Sequence, residues 1–140
     1  MKRVVITGMG AVTPIGNNVN EFGEALMSGN SGAAGITKFD AAKYKTRFAC
    51  EVKNFDALQY MNRAELRKYD LYVQYALAAA AEAMQQGMPC LSEMDVTRAG
   101  VIMGTADGGS GSYLQQVTEF AQGDGQPRFS PQFIAMMMAN

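Results

Sequence analysis

The stretch from Arg3 to Gly16 reads R-V-V-I-T-G-M-G-A-V-T-P-I-G: a β-branched run, then a turn punctuated by glycine. Val4, Val5 and Ile6 suit a strand buried on both faces, and the glycines from Gly8 to Gly16 suit the turn that follows the first strand of a parallel α/β sheet. A dinucleotide-binding turn is one reading of such a start. It requires three glycines, the last letting helix and strand pack closely, but after Gly8 and Gly10 the third place is Thr13. Pro14 then stands where a phosphate-binding helix needs free backbone N–H groups, and proline has none. The spacing argues against a nucleotide site.

Composition narrows the remaining classes. The chain has 140 residues, 48% of them apolar, and a net charge of -1, which describes a globular chain long enough for one ordinary domain with a core. It contains no histidine, so the usual general base near neutral pH and the commonest metal ligand are both absent from it. Twelve basic side chains against 13 acidic ones give no global field for a polyanion, and nucleic acid is not an expected partner. Cys50 and Cys90 match no C-x-x-C spacing and are read as buried structural thiols rather than reactive ones. No apolar run has the length of a membrane span, and the start lacks a secretory cleavage pattern. A reducing cytoplasm is the expected location, with no membrane partner.

Further along, Asn20 reads as an N-cap for a short helix that ends at Gly29. Phe48 to Val52 alternates as a short edge strand, and Phe39, Tyr44 and Phe55 are expected to pin the irregular stretch around it. The strongest helical periodicity runs from about Arg63 to Gln86, with Gly87 and Pro89 ending it. Its alanine-rich middle, Ala76 to Ala83, predicts close approach by another element. A second strand is expected over Ala99 to Met103, leading into G-T-A-D-G-G-S-G-S at Gly104 to Ser112. Two helices are expected after it, Tyr113 to Gln122 and a last one from Pro131, capped by Ser130 and continuing without a C-cap to the end of the sequence.

Several of these stretches together resemble one family. V-V-I-T-G-M-G-A-V-T-P-I-G at Val4 to Gly16, S-G at Ser31 and Gly32, R-A-E-L-R-K-Y-D at Arg63 to Asp70, G-T-A-D-G-G at Gly104 to Gly109 and P-R-F-S-P-Q-F at Pro127 to Phe133 are similar to the β-ketoacyl-[acyl carrier protein] synthases. The nearest type is the type II condensing enzyme of bacterial fatty-acid synthesis. The resemblance implies an α/β fold of the thiolase-like kind, layered α-β-α-β-α, of which residues 1–140 are the N-terminal portion. It implies a decarboxylative Claisen condensation of an acyl thioester with malonyl-acyl carrier protein, a homodimer, and no metal or nucleotide cofactor. The family's thioester-forming cysteine sits in a T-A-C-x-S-type turn. Neither F-A-C-E-V at Cys50 nor M-P-C-L at Cys90 matches it, and the family pattern puts that turn shortly after Asn140. The 140 residues alone are therefore expected to be inactive. A chain-length partner subunit without the nucleophile and, less favoured, a nucleotide-dependent oxidoreductase are the competing classes.

By the same resemblance Arg63, Arg67 and Lys68 would dock the acidic face of the acyl carrier protein, although Ala64 stands where a third base is common. A merely solvated basic face explains them equally well. Arg128 matches a further carrier contact, with Phe129 beside it instead of a second base. Asp107 and Gly108 would line the acyl pocket, where long-chain members carry an apolar residue in place of Asp107; a helix-capping aspartate is the alternative. Phe133 and Met137 would form the pocket wall near the dimer interface, or simply pack in the core.

Overall fold

A first carboxylate, Glu82, joins the glycine turn to the long helix that the alanines announce. The structure is a computed structural model that describes residues 3–91 and 94–138; the side chains of Pro89, Cys90 and Leu91 are outside that description. Its elements are α1 (Val19–Met27), β1 (Ala34–Gly35), β2 (Phe48–Ala49), α2 (Arg63–Leu66), α3 (Leu71–Leu91), α4 (Ser110–Gln122) and α5 (Phe133–Met137), with 3-10 turns at Ala57–Gln59 and Val96–Arg98. Two compact units emerge, one from Met1–Asp56 and Ala78–Met94, the other from Ala57–Leu77 and Asp95–Asn140.

In the first unit the glycine turn lies against the second part of α3. A Cβ on Gly8 would run into the carbonyl of Ala83, and one on Gly10 into the carbonyl of Ala79. Ala79 and Ala83 are four residues apart, about one helical turn of 5.4 Å, so two glycines along the turn meet two successive rungs of the helix. Ala78, next to them, is 1% exposed. The close approach expected of the alanine stretch is thus present, and its partner is irregular backbone instead of a helix or sheet. The opposite face of α3, with Ala80, Ala81 and Met84, is exposed. The glycines serve this contact, and Thr13 and Gly16 close the turn through Thr13 N–H to Gly16 O at 2.8 Å.

Glu82 completes the junction. One carboxylate oxygen accepts from the N–H of Ala11 at 3.0 Å, the other from the N–H of Val19 at 2.9 Å, and Gln86 one turn on accepts from Met9 N–H at 3.0 Å. Val19 is the first residue of α1, so Glu82 places negative charge at the positive end of that helix. The N-cap of α1 is Asn18, whose Oδ1 accepts from Glu21 N–H at 2.9 Å; the expected cap, Asn20, lies inside the helix. Gly29, at φ 69°, ends it as expected. The edge strand is two residues of the five expected, pairing Ala49 with Ala34 and Phe48 with Gly35 in an antiparallel ladder. Phe39 and Tyr44 meet edge to face at 5.5 Å. Cys50 is exposed, which corrects the expectation of a buried thiol; Cys90's side chain is among those outside the description.

In the second unit the single helix expected from Arg63 is two helices. Asn62 forms a capping box with Glu65 and starts α2, which ends at Leu66; Asp70 then restarts the chain as α3. At its other end α3 runs past Gly87 and Pro89 to Leu91. The helix α4 begins three residues before the expected start and ends at Gln122 as expected. Ser130 forms a turn, accepting from Gln132 N–H at 3.2 Å, before α5 starts at Phe133. It ends at Met137, with Met138 in extended backbone, so the last helix stops within the described residues.

Neither expected strand of the parallel sheet forms. Val4 and Ile6 are 91% and 83% exposed, Val101 and Ile102 96% and 100%, and these segments are irregular. A strand meant for burial on both faces acquires its ladder only from neighbouring strands. The described residues supply none to either segment. The core is correspondingly thin: Ala25, Met61 and Ala78 are the buried apolar side chains among the described residues, fewer than the composition led us to expect.

Two outcomes are expected. Replacing Ala78 with leucine should destabilise the protein by about 1–3 kcal/mol in a denaturant melt, because the site has no room for three more carbons. Glu51 accepts from Thr37 Oγ–H at 2.6 Å and from its N–H, and these bonds, the hydroxyl's foremost, hold its carboxyl below the ordinary glutamate value. A depressed carboxyl stabilises the fold above its unfolded value and loses that contribution as pH falls through the folded one. Protection of the Thr37 amide from exchange, corrected for intrinsic rate, should therefore hold at neutral pH and decline below the ordinary glutamate range. In Glu51→Gln the decline should vanish.

Candidate functional site

The residues singled out by sequence fall in the second unit. Arg63 opens α2 and Arg67 caps its C-terminal end with φ -76° and ψ -12°, so the two stand one turn apart; Lys68 follows, its N–H bonded to Glu65 O at 2.8 Å. All three side chains are exposed, and among the described residues none makes an ion pair. This leaves three exposed cations along one short helix. Arg128 differs. Its guanidinium is paired with Asp124 at 2.7 Å, both partners largely exposed, in a contact worth about 0–1 kcal/mol that a competing carboxylate could displace.

The glycine loop is set by backbone geometry. Gly108 has φ 60°, a left-handed conformation that a side chain would strain, and its N–H bonds to Thr105 Oγ1 at 3.2 Å. Gly109 is buried. Its N–H bonds to Met137 O at 3.1 Å, and a Cβ there would strike the carbonyl of Met136. Gly108 and Met137, both named from sequence, are thus brought together through Gly109. Asp107 is exposed. It does not cap α4, whose N-cap is Gly109 without a side-chain bond; the capping alternative for Asp107 is corrected.

The cap of α4 comes from elsewhere in the chain. Asp70 Oδ2 accepts from Ser112 N–H at 3.2 Å and from Ser112 Oγ–H at 2.5 Å, while Oδ1 accepts from Tyr72 N–H at 3.3 Å. One carboxylate therefore caps the starts of α3 and α4, where the positive helix ends favour it. Sequence reading passed over this residue because the periodicity ran through it. An aspartate directly before the apolar Leu71 was the available signal.

Phe133 joins a row of aromatic rings. It stacks on Tyr113 at 6.1 Å and on Phe129 at 5.2 Å, and Phe129 meets Phe120 at 5.5 Å. These rings fasten α5 to α4, aided by Ser130 N–H to Gln116 Oε1 at 2.7 Å, while Tyr72 of α3 bonds Met138 O through its hydroxyl at 2.9 Å. Arg67, Ser112, Gln115, Gln116, Ser130 and Met136 line a cleft of about 200 Å³. A second cleft of about 190 Å³ lies beside Arg128, Phe129 and Phe120. Among the described residues no helix is long and apolar enough to cross a membrane.

With this geometry established, comparisons with known proteins are informative. The sequence profile of "Beta-ketoacyl synthase, N-terminal domain" matches residues 1–140. The 3-oxoacyl-[acyl-carrier-protein] synthase 2 of Synechocystis sp. is 39% identical over 139 residues, covering 99% of this chain and 33% of that synthase. Among solved structures, the ishigamide ketosynthase/chain length factor superposes with a TM-score of 0.77 at 28% identity, over 96% of this chain and 34% of that one. A type II polyketide ketosynthase, AntDE, solved with its acyl-carrier protein AntF, superposes with a TM-score of 0.73 at 23% identity, over 98% of this chain and 36% of that one. The fold class is thereby the α/β, thiolase-like one expected from sequence. The chain spans about a third of the length of the curated relatives it matches.

One substitution checks the geometry of the loop. Gly109→Ala should destabilise the protein by about 1–3 kcal/mol, because its methyl group forces the Met136 carbonyl away and strains the bond to Met137. Gly100→Ala, where a Cβ meets nothing within 4 Å, should be nearly neutral in the same thermal melt.

Proposed function

The chain belongs to the β-ketoacyl synthase family as its N-terminal domain, and on that premise we propose that the complete protein is a condensing acyltransferase of fatty-acid or polyketide chain elongation. The reaction is the decarboxylative Claisen condensation. An acyl group held as a thioester on a cysteine of the enzyme is attacked by the enolate that malonyl-acyl carrier protein forms on losing carbon dioxide. A carbon–carbon bond forms, the acyl–sulfur bond breaks, and the thiolate takes up a proton as the β-ketoacyl product stays on the carrier. Residues 1–140 contain no histidine, and neither cysteine stands in a nucleophile turn. The thiol and its histidine partners belong, in this reading, to sequence beyond Asn140, and residues 1–140 alone are inactive. They contribute recognition.

The observation that carries the reading is the continuous match of the family profile from residue 1 to residue 140, with the relatives' synthase activity behind it. The exposed cations Arg63, Arg67 and Lys68 support it, as a face suited to the acidic surface of an acyl carrier protein, and Arg128 is a second, weaker contact. Asp107, Gly108, Phe133 and Met137 are assigned to the acyl pocket. An exposed carboxylate at Asp107 is compatible with that assignment only if it remains in water when the acyl chain binds. We place the protein in the cytoplasm as a homodimer without a metal or nucleotide cofactor.

A second reading is favoured by one comparison. The ishigamide protein pairs a ketosynthase with a chain length factor, and a chain-length subunit of the same fold would lack the nucleophile. The residue in the nucleophile turn of the complete protein discriminates the two.

The docking assignment is checked by charge reversal. In the complete enzyme, Arg67→Glu with Lys68→Glu should raise KM for the carrier-bound substrate about tenfold or more at low salt while leaving kcat for a small thioester unchanged, and the difference should shrink as salt rises. An unchanged KM would mean that the cations are simply solvated.

A further inference from the structure

We propose that Asp70 is a positioning residue for acyl transfer, fixing the glycine loop Thr105–Gly109 relative to α5 from the start of α3; this rests on the condensing function proposed above. The observations form a continuous chain of bonds. Asp70 Oδ2 holds both the N–H and the hydroxyl of Ser112 in the first turn of α4, and its other oxygen holds Tyr72 N–H. Three residues back from Ser112, Gly109 donates to Met137 O in α5, and just before it Gly108 is held at φ 60° by Thr105 Oγ1. Tyr72, two residues after Asp70, sends its hydroxyl to Met138 O. The first turn of α3 thus grips the start of α4 with one side chain and the end of α5 with another, and the loop lies between these two grips.

A carboxylate suits this task better than a neutral cap. It stands at two helix N-termini at once, so both positive ends act on the same charge, and its two oxygens reach donors on two elements with defined directions. The residue directly before α4, Gly109, brings no side chain of its own to this work, since its packing against Met136 excludes a Cβ. The cap has to come from another element. If the loop borders the acyl chain, loosening it should affect the chemical step, because misplacement of about 1 Å can cost up to a hundredfold in rate. Carrier docking, carried by exposed cations earlier in the chain, should be unaffected.

The test uses the complete enzyme and compares Asp70→Ala and Asp70→Asn with the wild type. Steady-state kinetics with acyl and malonyl carrier substrates is combined with amide exchange at Gly109 and Ser112. Asp70→Ala should lower kcat roughly tenfold or more, with KM for the carrier substrate within about twofold, and should speed exchange at both amides. Asp70→Asn keeps an acceptor oxygen for Ser112 and should recover most of kcat. A folded Asp70→Ala with unchanged kcat and unchanged exchange overturns the proposal, as does a loss confined to KM. If Asp70→Ala does not fold, Ser112→Ala, which removes the hydroxyl bond but keeps the N–H bond to Asp70, is read by the same two measures and must lower kcat and speed exchange in the same direction. A wild type without condensing activity defeats the functional reading instead. Amide exchange then still decides whether Asp70 holds the loop.

Discussion

Glu82 has two backbone donors in its grip, one from the glycine turn and one from the first residue of α1, and the first unit depends on that grip. It can exist only because Gly8 and Gly10 let the chain come down on the carbonyls of Ala83 and Ala79. A larger side chain at either glycine would lift the turn off the helix and put Ala11 out of reach of the carboxylate. Small residues on both surfaces and a charged acceptor between them are therefore one device. Among the described residues of this unit only Ala25 and Ala78 are buried apolar side chains, and they supply little transfer energy, so polar contacts of defined geometry have an unusual share in fixing it.

The second unit repeats the arrangement with other residues. Asp70 holds two helix starts where Glu82 holds a turn and a helix start, and Gly109 lies on α5 as Gly8 lies on α3. In both units a carboxylate on or at the start of α3 organises backbone donors from a glycine-rich segment. Both segments are among those that carried the family resemblance. Their glycines answer to packing against helices, which is why the opening stretch looks like a phosphate-binding turn without being spaced as one.

Much of this was legible in the sequence. Helix α4 ends where its pattern predicts, α1 ends at the expected glycine, and the alanines of α3 mark a close approach. What escaped was set by side chains reaching across the chain. The capping box at Asn62 and the aspartate at position 70 divide a run whose apolar spacing is continuous, and periodicity does not register a cap. Asn18 displaced Asn20 because it is Asn18 that reaches the Glu21 N–H. At the site, sequence named Gly108 and Met137 together as pocket residues, but it did not name the bond of Gly109 to Met137 O or the carboxylate behind it. Contacts between residues 42 positions apart, such as Asp70 with Ser112, leave no local signature.

The bare strands have a consequence for synthesis. In the larger synthase proposed above, Val4 to Ile6 and Val101 to Met103 would be synthesised before the later strands that would pair with them. At about 5–20 residues per second, a synthase of the relatives' length would take on the order of tens of seconds to finish, a long time for two β-branched segments to stay unpaired in a crowded cell. Each is preceded by an arginine, Arg3 and Arg98, and interrupted or followed by glycine, at Gly8, Gly100 and Gly104. Charge and glycine at the borders of an apolar run disfavour its stacking on identical copies from neighbouring polysomes. In that reading these residues would serve as gatekeepers while the pairing strands are still being made.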